Sequence, residues 1–99
     1  MQFDLEKRTT DFAKEIVRLC RKLPVDSINN RITGQVTGSA GSIGANYREA
    51  DDALGKKDFL MRVKIARKEA KETIHWLEIL AQANPKYNDG ILILAKEAT

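Results

Sequence analysis

Apolar residues recur at intervals of three and four positions along almost the whole chain, and this period constrains the fold more than any other feature. The first segment carries one such stripe, with a gap filled by Thr9: Leu5, Phe12, Ile16, Leu19 and Leu23. A second stripe, formed by Ala13, Val17 and Cys20, runs beside it. Because this interval places residues on one face of an α-helix, two adjacent stripes predict a helix that packs against more than one neighbour. Pro24 is expected to end that helix.

The segment from Ser27 to Ala53 is harder to assign, because it contains four glycines and each costs about 1 kcal/mol inside a helix relative to alanine. Yet its small residues step by four, three and four positions: Gly34, Gly38, Gly41 and Ala45. This spacing predicts a smooth strip on one side of a helix, which a neighbouring backbone can approach closely. We therefore interpret the segment as a buried helix and not as a loop.

The same segment shows two further faces at helical spacing. The apolar face comprises Val36, Ile43, Tyr47 and Leu54. The polar face comprises Ser39, Ser42, Asn46 and Glu49. Gly55 is expected to end this second helix, and Asp58 suits the positive end of the next one.

The third predicted helix, from about Lys57 to Ala83, has the clearest period, in Phe59, Val63, Ala66, Ala70, Ile74, Leu77 and Ala81. Asn84 and Pro85 end it. A last helix of only about two turns is expected from Ile91 to Ala98.

These elements predict an all-α fold: an antiparallel up-and-down four-helix bundle with a short last helix. Residues 1–99 are expected to form a single domain, because a second hydrophobic core would need more chain. So short a fourth helix would leave apolar surface open on the first three. Either other subunits cover that surface, or the natural chain continues beyond Thr99.

Composition favours a soluble, cytoplasmic protein without a membrane partner. Cys20 is the only cysteine, which excludes an internal disulfide and fits a reducing compartment; we expect it to act as a small apolar residue. Met1 to Arg8 lacks the apolar run of a secretory signal. Ile91 to Ala95 is too short to span a bilayer. The net charge of +3 and the pI of about 9.1 permit an anionic partner without requiring one.

The stretch from Gln35 to Leu80 also carries three linked motifs. They are Ser39-x-x-Ser42-Ile43-x-Ala45-Asn46-Tyr47-Arg48-Glu49-Ala50, then Lys57-Asp58-Phe59, then Arg67-Lys68-Glu69-Ala70-Lys71-Glu72-Thr73 followed by Trp76-Leu77. With these motifs, and with a matching first helix over Phe12 to Pro24, the chain resembles the four-helix-bundle family encoded by intervening sequences of bacterial 23S ribosomal RNA genes. The resemblance implies an antiparallel bundle assembled as a homopentamer, with no enzymatic activity established. It also implies a longer last helix, since family members usually continue past the pair seen here as Glu97 and Ala98.

Few residues offer catalytic or ligand chemistry. The serine-rich stretch from Thr37 to Asn46 lacks the Gly-Lys-Ser/Thr ending of a phosphate-binding loop. His75 and Cys20 lack metal-ligand spacing, and His75 is expected at the surface. No nucleophile, base and orienting residue can be assembled. We therefore expect a non-enzymatic protein with no cofactor, no metal and no evident small-molecule substrate.

Three glutamates are the carboxylates that can in principle pair as acid and base: Glu49, Glu69 and Glu72. We favour a structural role for them, in a polar network that comprises Ser39, Ser42, Asn46, Glu49, Glu69 and Glu72. Three basic side chains are candidate partners of that network: Arg48, Arg62 and Lys68. Such networks cost desolvation energy but can fix register and oligomeric state.

A basic stripe is the one feature that points to a ligand. Residues 56–72 contain seven basic and three acidic residues, a difference of +4 that exceeds the net charge of the whole chain. Like charges one helical turn apart repel each other, and a bound anion would relieve the repulsion. The predicted RNA- or DNA-binding residues are Lys56, Lys57, Lys64, Arg67, Lys68 and Lys71.

No aromatic residue interleaves with this basic stripe to stack on bases, so binding would be largely indifferent to sequence. The alternative is that the charges form only a solvated helix face. The protein would then be a structural or adaptor ring that recruits a protein partner, with no role in nucleic-acid binding.

Overall fold

The structure is a computed structural model that describes residues 2–98 of the chain, with side chains described from residue 5 onward. Four α-helices follow one another: α1 spans Gln2–Lys22, α2 spans Ser27–Asp51, α3 spans Lys56–Ala83 and α4 spans Asn88–Glu97. A short 3-10 turn, Pro85–Tyr87, precedes α4. No strand occurs between residues 2 and 98. The prediction of an all-α fold is confirmed.

The helices form an antiparallel up-and-down bundle. Each helix packs against the next one in the chain, and α4 also reaches α1. Over the described residues, no Cα atom of α1 lies within 8 Å of one in α3, so these two helices occupy diagonal positions with α2 and α4 between them. The bundle measures 45 × 21 × 18 Å. Its long axis matches α3, whose 28 residues span about 42 Å at the rise of an α-helix.

The core follows the predicted stripes of all four helices. Its buried side chains are Phe12, Ile16, Leu19, Leu23, Ile32, Val36, Ala40, Ile43, Leu77, Leu80, Ala81, Ile91 and Ala95. In the second stripe of α1, Ala13 and Cys20 pack against this core, whereas Val17 is 43% exposed. The main stripe of α1 therefore faces the interior, and the second one lies at its edge.

The glycine-containing segment is a continuous helix, as predicted. Asp26 caps its start, since the carboxylate accepts a hydrogen bond from the backbone N–H of Asn29 at 2.7 Å. The side chain thereby satisfies one of the backbone donors that have no partner within the helix. Burial of one face of α2 against both α1 and α3 outweighs the low helix propensity of its glycines.

The small-residue strip of α2 does not lie where we expected. Its four residues are exposed: Gly34, Gly38, Gly41 and Ala45. A methyl group built on any of the three glycines would meet no atom within 4 Å, so the predicted close approach of a backbone is wrong within this chain. The close approach occurs instead at Gly44, where a methyl group would lie 2.9 Å from Oγ1 of Thr9 on α1. The spacing of the small residues identified one face of α2, but it did not indicate whether another helix covers that face.

Two predictions at the end of α2 are also wrong. Leu54 does not join the apolar face but lies in the turn after α2 and is 100% exposed. Its spacing continued the helical period beyond the last helical residue, Asp51. Gly55 does not end α2 but precedes the first residue of α3 and has an extended backbone (φ −176°).

The last helix is short, as predicted, although it begins at Asn88 instead of Ile91. Ile91 and Ala95 are buried, while Leu92 and Ile93 are exposed by 42% and 67%. Its 10 residues cover only part of the length of α3. Within residues 2–98, no helix combines the length and the apolar character needed to cross a membrane.

Candidate nucleic-acid interface

The basic stripe lies on the surface of α3, in the half of that helix that begins at Lys56. All six of its predicted side chains are exposed: Lys56, Lys57, Lys64, Arg67, Lys68 and Lys71. Steps of seven, four and three relate Lys57, Lys64, Lys68 and Lys71, which places them on one side of a regular helix. The structure therefore brings these side chains together as one surface, which we call the basic stripe from here on.

None of the six side chains forms an ion pair with a carboxylate among residues 5–98. The ion pairs in this range lie on α1 or between α1 and α2: Lys7–Asp11, Arg18–Glu15 and Arg48–Glu6. The adjacent positive charges of Lys64, Lys68 and Lys71 thus repel one another by a few tenths of a kcal/mol per pair. A polyanion that contacts several of them relieves this repulsion and releases its own counterions.

Arg62 is separated from the basic stripe although it lies between its members in sequence. Its guanidinium donates a hydrogen bond to Oδ1 of Asn46 on α2, at 3.4 Å. Arg48 points the other way, to α1, where it donates to Glu6 and to the hydroxyl of Thr10, each at 3.1 Å. Of the basic side chains proposed for the polar network, only Arg62 hydrogen-bonds to one of its members within the described side chains.

The polar residues between α2 and α3 form two small clusters. In one, the hydroxyl oxygens of Thr73 and Ser39 lie 2.9 Å apart, within hydrogen-bond distance. Thr73 is completely buried, so its hydroxyl needs such a partner. In the other, the amide of Asn46 donates to Oγ of Ser42 at 3.1 Å. Sequence reasoning named Thr73 in the third motif but gave it no place in the polar network, because a single threonine within a helical stripe carries no signal of its own.

The three glutamates proposed for the same network stay at its edge. Glu49 is exposed, and Glu69 and Glu72 are half-buried. The backbone carbonyl of Glu69 accepts a hydrogen bond from Thr73 at 2.8 Å. Among the hydrogen bonds of residues 5–98, no side-chain bond joins two of these glutamates, so they are not arranged as a hydrogen-bonded acid–base pair.

His75 is exposed, as predicted. It lies four positions after Lys71, one helical turn further along the side that carries the basic stripe. Its ring meets the Trp76 ring edge-on, with centroids 5.1 Å apart. This imidazole extends the stripe; the sequence analysis placed it at the surface and weighed it as a metal ligand, but did not assign it to the stripe. Spacing alone was enough to find it.

The described residues hold no cluster of three or more His, Cys, Asp or Glu side chains that suits a metal ion. His75 and Cys20 lie on α3 and α1, which occupy diagonal positions in the bundle. Burial raises the pKa of the Cys20 thiol, which favours the unreactive protonated form. Neither a redox nor a nucleophilic role for this cysteine follows from its surroundings.

Comparison with known proteins connects this geometry to a family. A family model described as 23S rRNA-intervening sequence protein matches residues 1–96. The chain is also similar to a crystal structure, at 1.70 Å resolution, of a protein with unknown function from the S23 ribosomal protein family of Bacteroides thetaiotaomicron VPI-5482. The two are 32% identical with a TM-score of 0.78, over 98% of this chain and 89% of that one. No curated protein matches the chain. Neither description names an enzymatic activity.

Proposed function

The chain belongs to the 23S rRNA-intervening sequence protein family, and from that premise we propose that it is a non-enzymatic, cytoplasmic homo-oligomer that binds RNA or DNA. The binding surface is the basic stripe on α3. The observation that carries the proposal is the exposure of all six side chains of the stripe together with the lack of an ion-pair partner for them among residues 5–98. Exposed, uncompensated cations on one helix side favour contact with phosphates.

A homo-oligomer would present one copy of the basic stripe on each subunit. The resemblance to the family implies a homopentamer, in which the basic stripe repeats around a ring. Several weak phosphate contacts on one polyanion then add up, because each further contact is made within a complex that already exists. Exposed apolar side chains on the outside of the bundle, among them Ile93 at 67% exposure, support burial between subunits.

The test is the charge-reversal pair Lys64→Glu with Lys68→Glu, assayed by fluorescence anisotropy with labelled RNA and DNA oligonucleotides. We expect affinity to fall by about tenfold or more, because two phosphate contacts become repulsive. Binding by the parent protein should also weaken steeply as salt is raised. Light scattering after size-exclusion chromatography must show the same subunit number for variant and parent.

A matched control is available on α1. The pair Lys14→Glu with Lys22→Glu makes the same change in net charge at two exposed lysines outside the basic stripe. If this control weakens binding as much as the stripe variant, the affinity follows from net charge alone and the proposed surface is wrong. Unchanged affinity of the stripe variant would also exclude it.

A second candidate function is a structural or adaptor ring that recruits a protein partner. The exposed apolar residues Leu92 and Ile93 on α4 favour it, because apolar side chains beside one another mark protein contacts more often than nucleic-acid contacts. A pull-down with this chain as bait, after nuclease treatment, tests the alternative. Recovery of one partner protein in a fixed ratio, together with no binding of oligonucleotides by this chain, supports the adaptor ring over the nucleic-acid-binding function.

A further inference from the structure

One end of the basic stripe is formed by an imidazole and not by a lysine. His75 is the only histidine of the chain, and its side chain is exposed. It follows Lys68 by seven positions and Lys71 by four, so it lies on the same side of α3 as these two lysines. A strand of nucleic acid that runs along the basic stripe past Lys71 would therefore meet this ring next.

The imidazole differs from the other members of the surface in its proton chemistry. Imidazole is the only side chain that ordinarily changes charge between about pH 5 and pH 8, whereas lysine and arginine stay positive over that range. His75 is thus the position on this surface where a positive charge can be gained or lost near neutral pH.

A contact with Trp76 restricts the His75 ring. The two ring centroids are 5.1 Å apart and the ring planes cross at 70°, while Trp76 itself packs against the hydrophobic core. A restricted side chain loses less conformational freedom when it binds a ligand. The ring is therefore better prepared for contact with a phosphate than a freely rotating side chain would be.

The charges around His75 come mainly from its own helix. Those within one turn of it are Lys71, Glu72 and Glu78. The contact of Thr73 with Ser39 places the middle of α2 opposite this turn, and α2 has no charged residue between Arg31 and Arg48. No carboxylate among residues 5–98 forms an ion pair with His75. A phosphate would therefore not have to displace a carboxylate from the protonated ring.

The remaining neighbours of α3 are α4 and the short turn before it, and their charged residues are Lys86, Asp89, Lys96 and Glu97. Glu97 borders the same groove as Ala70, which lies about 140° around α3 from His75. These residues and the two glutamates of α3 ordinarily keep their charges between about pH 5 and pH 8. A change of affinity over this range that depends on His75 therefore reports its own proton.

We propose that His75 is a further phosphate-binding residue of the basic stripe, whose contact forms when the ring is protonated, so that affinity for RNA or DNA rises as pH falls. This inference rests on the proposed function and adds its regulation by pH. Each protonated imidazole that contacts the strand neutralises one more phosphate and releases its counterion. The neutral ring makes no such ionic contact.

The test is fluorescence anisotropy with a labelled single-stranded RNA oligonucleotide, for the parent protein and His75→Gln, at about pH 8 and about pH 5.5. We expect the affinity of the parent to rise about fivefold at the lower pH. The slope of log affinity against log salt should also steepen, by about 0.7 for each imidazole in contact. The His75→Gln protein should bind at both pH values as the parent does at the higher one.

Two further variants locate the effect. Adding Asn30→His to His75→Gln returns an imidazole to the chain at an exposed site on α2, and this control should not restore the dependence on pH. His75→Lys carries a permanent charge, so at about pH 8 it should bind as the parent does at about pH 5.5. Light scattering should give one subunit number for all of these proteins at both pH values.

The outcomes separate this inference from the proposed function. If none of the proteins binds the oligonucleotide at low salt, the proposed function is wrong and this inference falls with it. If the parent binds equally well at both pH values, only the inference is wrong. It is also wrong if His75→Gln gains as much affinity as the parent, if the Asn30→His control restores the gain, or if the subunit number changes with pH.

Discussion

The side-chain amides of Asn29 and Asn84 donate hydrogen bonds to each other, both at 2.8 Å. The two residues are 97% and 95% buried, since their exposures are 3% and 5%. Asn29 also donates to the backbone carbonyl of Pro24, and Asn84 to that of Leu80, each at 2.9 Å. This reciprocal pair joins the first turn of α2 to the residue that follows α3, and with the bonds to Pro24 and Leu80 it holds one end of the bundle in addition to its apolar packing.

We expect Asn84→Ala to lower the free energy of unfolding by about 2 kcal/mol, because it leaves the side-chain oxygen and one N–H of the buried Asn29 amide without a partner. The double variant Asn29→Ala with Asn84→Ala should lose less than the sum of the two single variants, by about 1 kcal/mol, since the second change removes the unpaired group. Chemical denaturation of all four proteins gives this coupling. Strict additivity would show that the pair does not act as a unit.

Gly44 and Gly38 give opposite predictions for the same substitution. Gly44→Ala should destabilise the protein, because the added methyl group would lie 2.9 Å from Oγ1 of Thr9. That hydroxyl is held by a hydrogen bond of 2.8 Å to the backbone carbonyl of Leu5, so moving it breaks a further contact. Gly38→Ala, at an exposed helical site where nothing lies within 4 Å, should stabilise by about 0.4–1 kcal/mol.

Thermal melts of the two glycine variants measure this difference. Adding Thr9→Ala to Gly44→Ala should recover most of the lost stability, since it removes the atom that the methyl group meets. If Gly44→Ala is as stable as Gly38→Ala, the helices α1 and α2 do not approach each other as closely as described.

Cys20 should react slowly with alkylating reagents. Burial raises the pKa of its thiol, so the folded protein holds the proton more tightly than the unfolded chain does, and the reactive thiolate is scarce at neutral pH. We expect alkylation by iodoacetamide at neutral pH to be about tenfold slower than in denaturant. Mass spectrometry over time measures both rates, and equal rates would show that the thiol is accessible.

The pKa shift of Cys20 also fixes the sign of its effect on stability. Because the unfolded chain releases the thiol proton at a lower pH than the folded chain, this group contributes less to stability as pH rises through the usual pKa of a cysteine and above it.

Much of the fold could be predicted because α1 and α3 repeat their apolar residues at the helical interval for several turns. In α2 the pattern was a better guide than propensity, which favoured a loop. The apolar pattern does not indicate where α2 ends. Leu54 was assigned to the apolar face of α2 because the helical interval continues past Asp51. Local spacing also cannot tell which neighbour covers a face, which is why the close approach was expected at Gly38 and is found at Gly44.

For the candidate site too, some features could be predicted from the sequence and others could not. Exposure of Lys64 and Lys68 could be predicted from their position opposite the apolar stripe of α3, whereas their binding of nucleic acid stays a prediction. The bond between Thr73 and Ser39, and the pair of Asn29 and Asn84, join residues 34 and 55 positions apart. Residue spacing along the sequence does not indicate which distant residues will pair, so these hydrogen bonds can be identified only from the packed structure.

The order of helices around the bundle has a consequence for how the chain reaches this structure. Nearly all packing within the described residues occurs between helices that follow one another, and only the thin contact of α4 with α1 joins helices that are not consecutive. Chains dominated by such local contacts fold fast, typically in microseconds to milliseconds. A newly made chain would therefore pass quickly through partly folded states, and the apolar side chains exposed in those states would have little time to aggregate.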